Sequence, residues 1–170
     1  MKDYKTAAVF SHIDAQGDAR MVDVSAKITT HRVASATGKI YLNAQALDQV
    51  IHNANKKGAV LTVAKIAGIQ AAKRCAELIP LCHPLPLTAI DVECLPQVAQ
   101  GYIEITAQCK TTGPTGVEME ALTACSIAAL TLYDMCKAVD PHMRITDIQV
   151  NKKQGGKNNW EKNKNQETVL

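Results

Sequence analysis

The stretch that decides the fold is residues 117–139, VEMEALTACSIAALTLYDMCKAV. It follows Gly and Pro residues at 113–116 and contains no helix breaker, so it predicts one long helix. After residue 120 its only charged residues are Asp134 and Lys137. A helix that is apolar on nearly every side must be covered on most of them. We therefore expect a sheet against one side of this helix and a second subunit against another.

Segments with strand composition lie on both sides of this helix. They are residues 28–36, 39–42, 87–95, 101–110 and 144–150. A short turn at 96–100 joins two of them, so they predict an antiparallel hairpin. Near the N-terminus, Thr37–Gly38 predicts a bend between two short strands that form a hairpin-like or bent pair.

Two further helices are predicted between the strands. Asn43 is a plausible N-cap for a short helix over 43–53, and a longer helix is expected over 61–78. The longer helix carries a stripe of small residues at positions 64, 67, 68, 71 and 75, which would let another backbone approach closely. The order of elements predicts an α+β fold with helices packed on one face of a mainly antiparallel sheet.

Composition excludes several classes of partner. The net charge of +3 comes from residues 151–170, so the remaining 150 residues are neutral, and a nucleic-acid-binding domain usually shows a basic excess. The longest charge-free apolar stretch, 121–133, is too short to span a membrane. Six cysteines without a Cys-x-x-Cys pair, and no secretory signal, favour a reduced, soluble, cytoplasmic protein without structural zinc.

Two groups of residues could carry chemistry. Asp134 and Lys137 are three positions apart on one helix face, which suits either a structural ion pair or an acid–base pair tuned by apolar surroundings. His83 follows Cys82 on a proline-bounded, extended segment, where it is either a satisfied histidine or a ligand-holding one.

The start of the long helix carries two carboxylates. Glu118 and Glu120 are separated by about 200° of helical rotation, so we expect them not to share a site within one subunit. The loop at 111–116 resembles a phosphate-binding loop but lacks the P-loop spacing and lysine. The residues alone therefore support a site of Asp, Lys, His and Glu, without a metal or dinucleotide signature.

Several motifs together resemble one family closely. They are Met21–Lys27 (MVDVSAK), Ile66–Lys73 (IAGIQAAK), Leu78–Leu85 (LIPLCHPL), Gly116–Thr123 (GVEMEALT) and Leu132–Val139 (LYDMCKAV). This set resembles molybdenum cofactor biosynthesis protein C, the family of cyclic pyranopterin monophosphate synthases. The resemblance covers residues 9–157, and it departs from the family at Pro114, where a basic residue is expected.

The resemblance implies a lyase that converts 3′,8-cyclo-7,8-dihydro-GTP to cyclic pyranopterin monophosphate and releases pyrophosphate. It implies a ferredoxin-like sandwich with a four-stranded sheet, in a hexamer built as a trimer of dimers. The resemblance also implies sites at the dimer interfaces. Because such a site draws residues from two subunits, Glu118 and Glu120 need not lie on the same face of the helix to contribute to it. We expect a single catalytic domain over 1–157, with an irregular lead-in over 1–26, and a flexible polar tail over 158–170.

The resemblance also assigns roles position by position. The catalytic residues would be Asp134, Lys57 and Lys137. The substrate-binding residues would be Leu81, Cys82, His83, Met119 and Glu120, with Glu118 beside them, and Arg32 and Lys153 would hold the triphosphate. These residue types suit proton transfer and the departure of pyrophosphate. No cofactor and no metal site are implied, and the sequence leaves open whether Mg²⁺ accompanies the pyrophosphate.

The residues also allow two functions from other classes. A non-catalytic ligand-binding or regulatory oligomer of the same fold would give the catalytic residues no joint task. The second alternative is an interaction module that acts through its C-terminal residues Thr168–Leu170, because peptide-binding domains can capture C-terminal ends of this kind.

Overall fold

The computed structural model describes residues 11–14, 16–53 and 58–162. Its helices are α1 (Ala44–Ile51), α2 (Val60–Lys73), α3 (Cys75–Leu78) and α4 (Glu118–Cys136). Its strands are β1 (Thr30–Tyr41), β2 (Leu87–Gln97), β3 (Tyr102–Gly113), β4 (Arg144–Gln154) and β5 (Trp160–Glu161). The strands form one sheet in the order β2-β3-β1-β4-β5, with every neighbouring pair antiparallel. The predicted α+β class is confirmed.

The sheet has five strands rather than the predicted four. The additional strand, β5, pairs Trp160 with Lys153 and Glu161 with Lys152 on β4. It falls within the stretch predicted as a polar tail, so the first part of that stretch joins the sheet. The division of the chain at residue 157 stays a prediction, and residues 163–170, with Thr168–Leu170, lie outside the described residues.

The strand pair predicted over 28–36 and 39–42 is wrong, because β1 is one continuous strand. It pairs with β3 along its whole length, from Thr30 opposite Gly113 to Tyr41 opposite Tyr102. Gly38 is not a bend. A Cβ atom built at Gly38 would lie 3.0 Å from Sγ of Cys125 on α4, so the glycine allows the helix to cross close to the strand.

The predicted hairpin of β2 and β3 is confirmed, with a 3₁₀ turn at Val98–Gln100 between its strands. The single helix predicted over 61–78 is wrong in one respect, since it is broken at Arg74. The N–H of Arg74 bonds the carbonyl of Ala71 at 3.0 Å, a bond over three residues instead of four. The break separates α2 from the short α3.

The helices α2 and α4 pack against each other on one face of the sheet. The small-residue stripe of α2 serves this contact, because a Cβ atom at Gly68 would lie only 2.8 Å from the carbonyl oxygen of Ala124. Ala64 and Ala71 of the stripe are buried, and Ala67 is half-buried. The stripe therefore provides the close backbone approach that the sequence predicts, and it does so inside the chain.

The core lies between the sheet and this helix layer. Every second residue of β3 from Ile103 to Thr111 is fully buried, and the residues between them are half-buried on the open face. All six cysteines are free thiols, and all except Cys82 are buried. Burial raises the pKa of Cys109 and of Cys125 to about 12, so these thiols behave as small apolar core residues.

Candidate active site

Three segments meet around the N-terminal end of α4 and line a half-open cavity of about 310 Å³, here called the α4 cavity. They are the chain before β1, the proline-bounded segment after α3, and the loop that leads into α4. The α4 cavity is lined by all six residues that the sequence predicts for substrate binding near these motifs: Leu81, Cys82, His83, Glu118, Met119 and Glu120. Residues from two distant motifs are thus brought together in one cavity.

His83 reaches the α4 cavity from an extended segment after α3. The turn before it is closed by the N–H of Cys82, which bonds the carbonyl of Ile79 at 3.0 Å. Nε2 of His83 lies 2.8 Å from the backbone carbonyl oxygen of Val22, in the chain before β1. The histidine is therefore a fixed, half-buried group held by a segment 61 residues away.

Both carboxylates at the start of α4 line the α4 cavity. The expectation that they cannot share a site within one subunit is corrected, because the cavity wraps around the first turn of the helix. Their environments differ strongly. Glu118 pairs with the ammonium group of Lys153, whereas Glu120 is 4% exposed and has no ion pair among the described residues.

Burial therefore dominates the ionisation of Glu120. Removing the carboxylate from water raises its pKa to about 7, and the negative charge of Glu118 adds to the effect. A bond from its own backbone N–H opposes the rise without cancelling it. Near neutral pH this group can both donate and accept a proton, which is what acid–base chemistry requires.

A second cavity, of about 430 Å³, adjoins the first and is here called the α2 cavity. It shares His83 and Glu120 with the α4 cavity and is also lined by Lys73 and Arg74 at the end of α2. Neither cation is among the site residues that the sequence predicts. Lys73 ends one of the resembling motifs, and that position is the signal that could have found it.

Arg32 and Lys153 do not line the α4 cavity but adjoin it, since Lys153 pairs with Glu118 of its lining. Arg32 donates from Nη2 to the carbonyl oxygen of Pro114 at 3.2 Å, so it borders the loop before α4. A Cβ atom at Gly156 would lie 2.7 Å from Nη1 of Arg32 and 3.8 Å from Cε of Lys153. The two cations predicted to hold the triphosphate are therefore neighbours.

The predicted catalytic residues Asp134 and Lys137 line neither cavity. Nζ of Lys137 is 2.7 Å from Oδ1 of Asp134, with both side chains more than half exposed, at the C-terminal end of α4. The hydrogen bond that Lys137 donates to the Asp134 carboxylate raises the pKa of Lys137, so the ammonium form is favoured. Asp134 lies sixteen positions after Glu118 on the helix, a distance of about 24 Å along the axis. Lys57 lies outside the described residues.

The described part of the chain carries no signature of a metal centre or of a membrane span. No group of three or more His, Cys, Asp and Glu side chains there could hold a metal ion. Among the same residues, no helix has the length and apolar character needed to cross a lipid bilayer.

Comparison with known proteins gives a consistent result. A model of the MoaC family matches residues 21–156. A relative named cyclic pyranopterin monophosphate synthase in Desulforapulum autotrophicum is 54% identical over 148 residues, 87% of this chain and 91% of the relative. A relative of the same name in Rhodospirillum rubrum is 54% identical over 152 residues, 89% of this chain and 92% of the relative. In Mycobacterium tuberculosis, cyclic pyranopterin monophosphate synthase 3 is 54% identical over 149 residues, 88% of this chain and 84% of the relative.

Proposed function

The chain belongs to the MoaC family, and from this premise we propose that it is a cyclic pyranopterin monophosphate synthase. It is a lyase of molybdenum cofactor biosynthesis. Its substrate is 3′,8-cyclo-7,8-dihydro-GTP, which it converts to cyclic pyranopterin monophosphate with release of pyrophosphate. The fold is an α+β layer of helices on an antiparallel sheet, which we propose to be a variant of the ferredoxin-like sandwich.

One observation carries the assignment of the site. One cavity, beside a pair of cations, is lined by residues of two separate motifs: Cys82 with His83, and Met119 with Glu120. A purine-derived ring needs a partly apolar pocket with polar groups at its edges, and a triphosphate needs positive charge beside it. The α4 cavity with Arg32 and Lys153 supplies both kinds of surface.

The cations are proposed to act on the departing pyrophosphate. Closing a cyclic phosphate leaves negative charge on the oxygens of the leaving group, and cations placed there stabilise the transition state. Arg32 is held by the loop that contains Pro114, where the family was expected to have a basic residue. Because proline carries no charge, Arg32 is the cation that we assign to phosphate binding beside that loop.

The complete site is proposed to lie between two subunits. Asp134 and Lys137 are about 24 Å from the cavity in their own chain, too far to act there. A second subunit that packs against α4 would bring its own pair to this cavity. Exposed apolar side chains on the outer surface of the helix layer support such packing: Val63 and Ile66 on α2 and Leu130 on α4. We propose a hexamer, built as a trimer of such dimers.

The proton-transfer roles follow from the charges of the groups. Lys137, whose Nζ lies 2.7 Å from Oδ1 of Asp134, and Lys57 are proposed as the two lysines that transfer protons. Glu120, whose pKa lies near neutrality, binds the substrate and can exchange a proton with it.

No resident cofactor is proposed. Proton transfer and the departure of pyrophosphate require acids, bases and positive charge, all of which side chains can supply. Mg²⁺ would enter as a companion of the phosphate groups. A cytoplasmic location is proposed because the substrate derives from GTP and the six thiols are free.

The test is turnover of the cyclised GTP intermediate by the purified protein. Pyrophosphate and the pterin product should appear in equal amounts, and the His83→Asn variant should bind substrate more weakly. Repeating the reaction with a chelator, and then with added Mg²⁺, measures the metal requirement separately. Binding of the intermediate without any product would identify a non-catalytic binding protein instead.

A further inference from the structure

The segment Met21–Lys27 lies over the α4 cavity, where Val22, Val24 and Lys27 form part of the lining. It belongs to the chain before β1 and has no strand or helix of its own. Its shape must therefore come from local turns and from its contacts with the rest of the protein.

One contact ties this segment to His83. Nε2 of His83 lies 2.8 Å from the carbonyl oxygen of Val22. A carbonyl oxygen only accepts hydrogen bonds, so Nε2 must carry the hydrogen in this contact. The neutral ring then leaves Nδ1 as the nitrogen that can accept a hydrogen bond from a ligand.

Asp23 shapes the chain immediately after Val22. Its Oδ1 accepts a hydrogen bond of 2.8 Å from the backbone N–H of Ser25, which closes a turn of the kind that Asp and Asn favour. A second turn follows directly, because the N–H of Lys27 bonds the carbonyl of Val24 at 3.0 Å. The bonds from Ser25 hold the pKa of Asp23 below its usual value, so the carboxylate that accepts them is charged.

We propose that Asp23 is a positioning residue for His83. By closing the turn at 23–25 it holds the Val22 carbonyl against Nε2, which selects the ring tautomer and leaves Nδ1 for the substrate. The catalytic part of this inference rests on the proposed function, whereas the tautomer of His83 is a property of the protein without substrate.

Turn closure by Asp23 differs in its consequences from two simpler roles. As an exposed surface charge without a function, Asp23 could be replaced by alanine or asparagine with no effect. If Asp23 acted on the imidazole at a distance through its negative charge, neither alanine nor asparagine could replace it, because both are uncharged. Only turn closure predicts that Asp23→Asn keeps function while Asp23→Ala loses it, because an asparagine side chain closes the same turn.

The kinetic test compares these two variants with the unmodified chain. In Asp23→Ala we expect KM to rise on the order of 10- to 100-fold with kcat little changed, since misplacing a binding group weakens substrate binding. In Asp23→Asn we expect KM to stay within about twofold of the original, as for a conservative exchange. Equal losses in both variants, or no loss in either, would overturn the proposal.

A matched control is available nine residues earlier. Oδ1 of Asp14 closes a similar turn by accepting from the N–H groups of Gln16 and Asp18, each at 2.9 Å. Asp14 does not line either cavity. We expect Asp14→Ala to keep KM unchanged, and a rise equal to that of Asp23→Ala would overturn the proposal by showing that the effect is general loosening of the segment.

The tautomer itself is read by NMR on protein labelled with ¹⁵N-histidine and without substrate. His83→Asn assigns the resonances. We expect the Nε2–H form in the unmodified chain and in Asp23→Asn, and a mixture of forms in Asp23→Ala. An Nδ1–H form in the unmodified chain would overturn the proposal even if the enzyme turns over. Absence of turnover with the expected tautomers would instead refute the proposed function alone.

Discussion

Replacing Glu120 by glutamine should make the protein more stable, and the gain should grow with pH. Glutamine has nearly the same shape but cannot ionise. In the folded chain the pKa of Glu120 is raised from 4.5 to about 7 by burial and by Glu118. Between these values the folded protein keeps a proton that the unfolded chain has released, so stability falls as pH rises.

The magnitude follows from the size of this difference. A change from 4.5 to about 7 corresponds to roughly 3 kcal/mol of lost stability once the pH exceeds both values. From pH 5 to pH 8 the free energy of unfolding of the variant should therefore increase by roughly 2 to 3 kcal/mol relative to the unmodified chain. Ionisable groups that titrate equally in both proteins cancel in this comparison.

The assay is urea denaturation followed by far-UV circular dichroism at several pH values from 5 to 8. Protein concentration is held constant, because assembly makes apparent stability concentration-dependent. Glu93→Gln is the control for the loss of one carboxylate, since Glu93 is exposed on β2 and lines neither cavity. Stability curves for Glu120→Gln and the unmodified chain that run parallel across this range would refute the reasoning.

Four further predictions concern catalysis, assembly and packing. Lys57→Ala should abolish product formation while circular dichroism and oligomer size stay unchanged, and normal turnover would remove it from the catalytic residues. Asp134→Asn should lose orders of magnitude in rate with little change in melting temperature, and the double variant with Lys137→Met should be no worse than the poorer single variant. If each site uses residues of two subunits, mixing subunits of His83→Asn and Asp134→Asn should restore activity at about a quarter of the sites. Light scattering that shows a monomer would contradict this model of a shared site. Gly68→Ala should destabilise the chain by about 1 to 3 kcal/mol in denaturation experiments, because its Cβ would press on a backbone carbonyl of α4.

Local patterns in the sequence predicted those parts of the fold that depend on local physics. The hairpin of β2 and β3 and the long helix α4 follow from alternation, turn residues and the absence of helix breakers. Gly38 shows where local reasoning fails. A glycine predicts a bend when only its neighbours in sequence are known, whereas here it makes room for the side chains of Cys125 and Ile148, each 3.0 Å from the place where a Cβ would lie.

The residues that do chemistry could be selected by type and motif, but their relations depend on the tertiary structure. The sequence alone determined the α+β class and which residues match the family's motifs. Only packing decided that Glu120 is buried while Glu118 meets Lys153, because burial and ion pairing join residues far apart in the chain. Only packing placed the carbonyl of Val22 on His83, and the length of a 19-residue helix separates Asp134 from the cavity. Such distances are set by three-dimensional geometry, and no periodicity in the sequence encodes them.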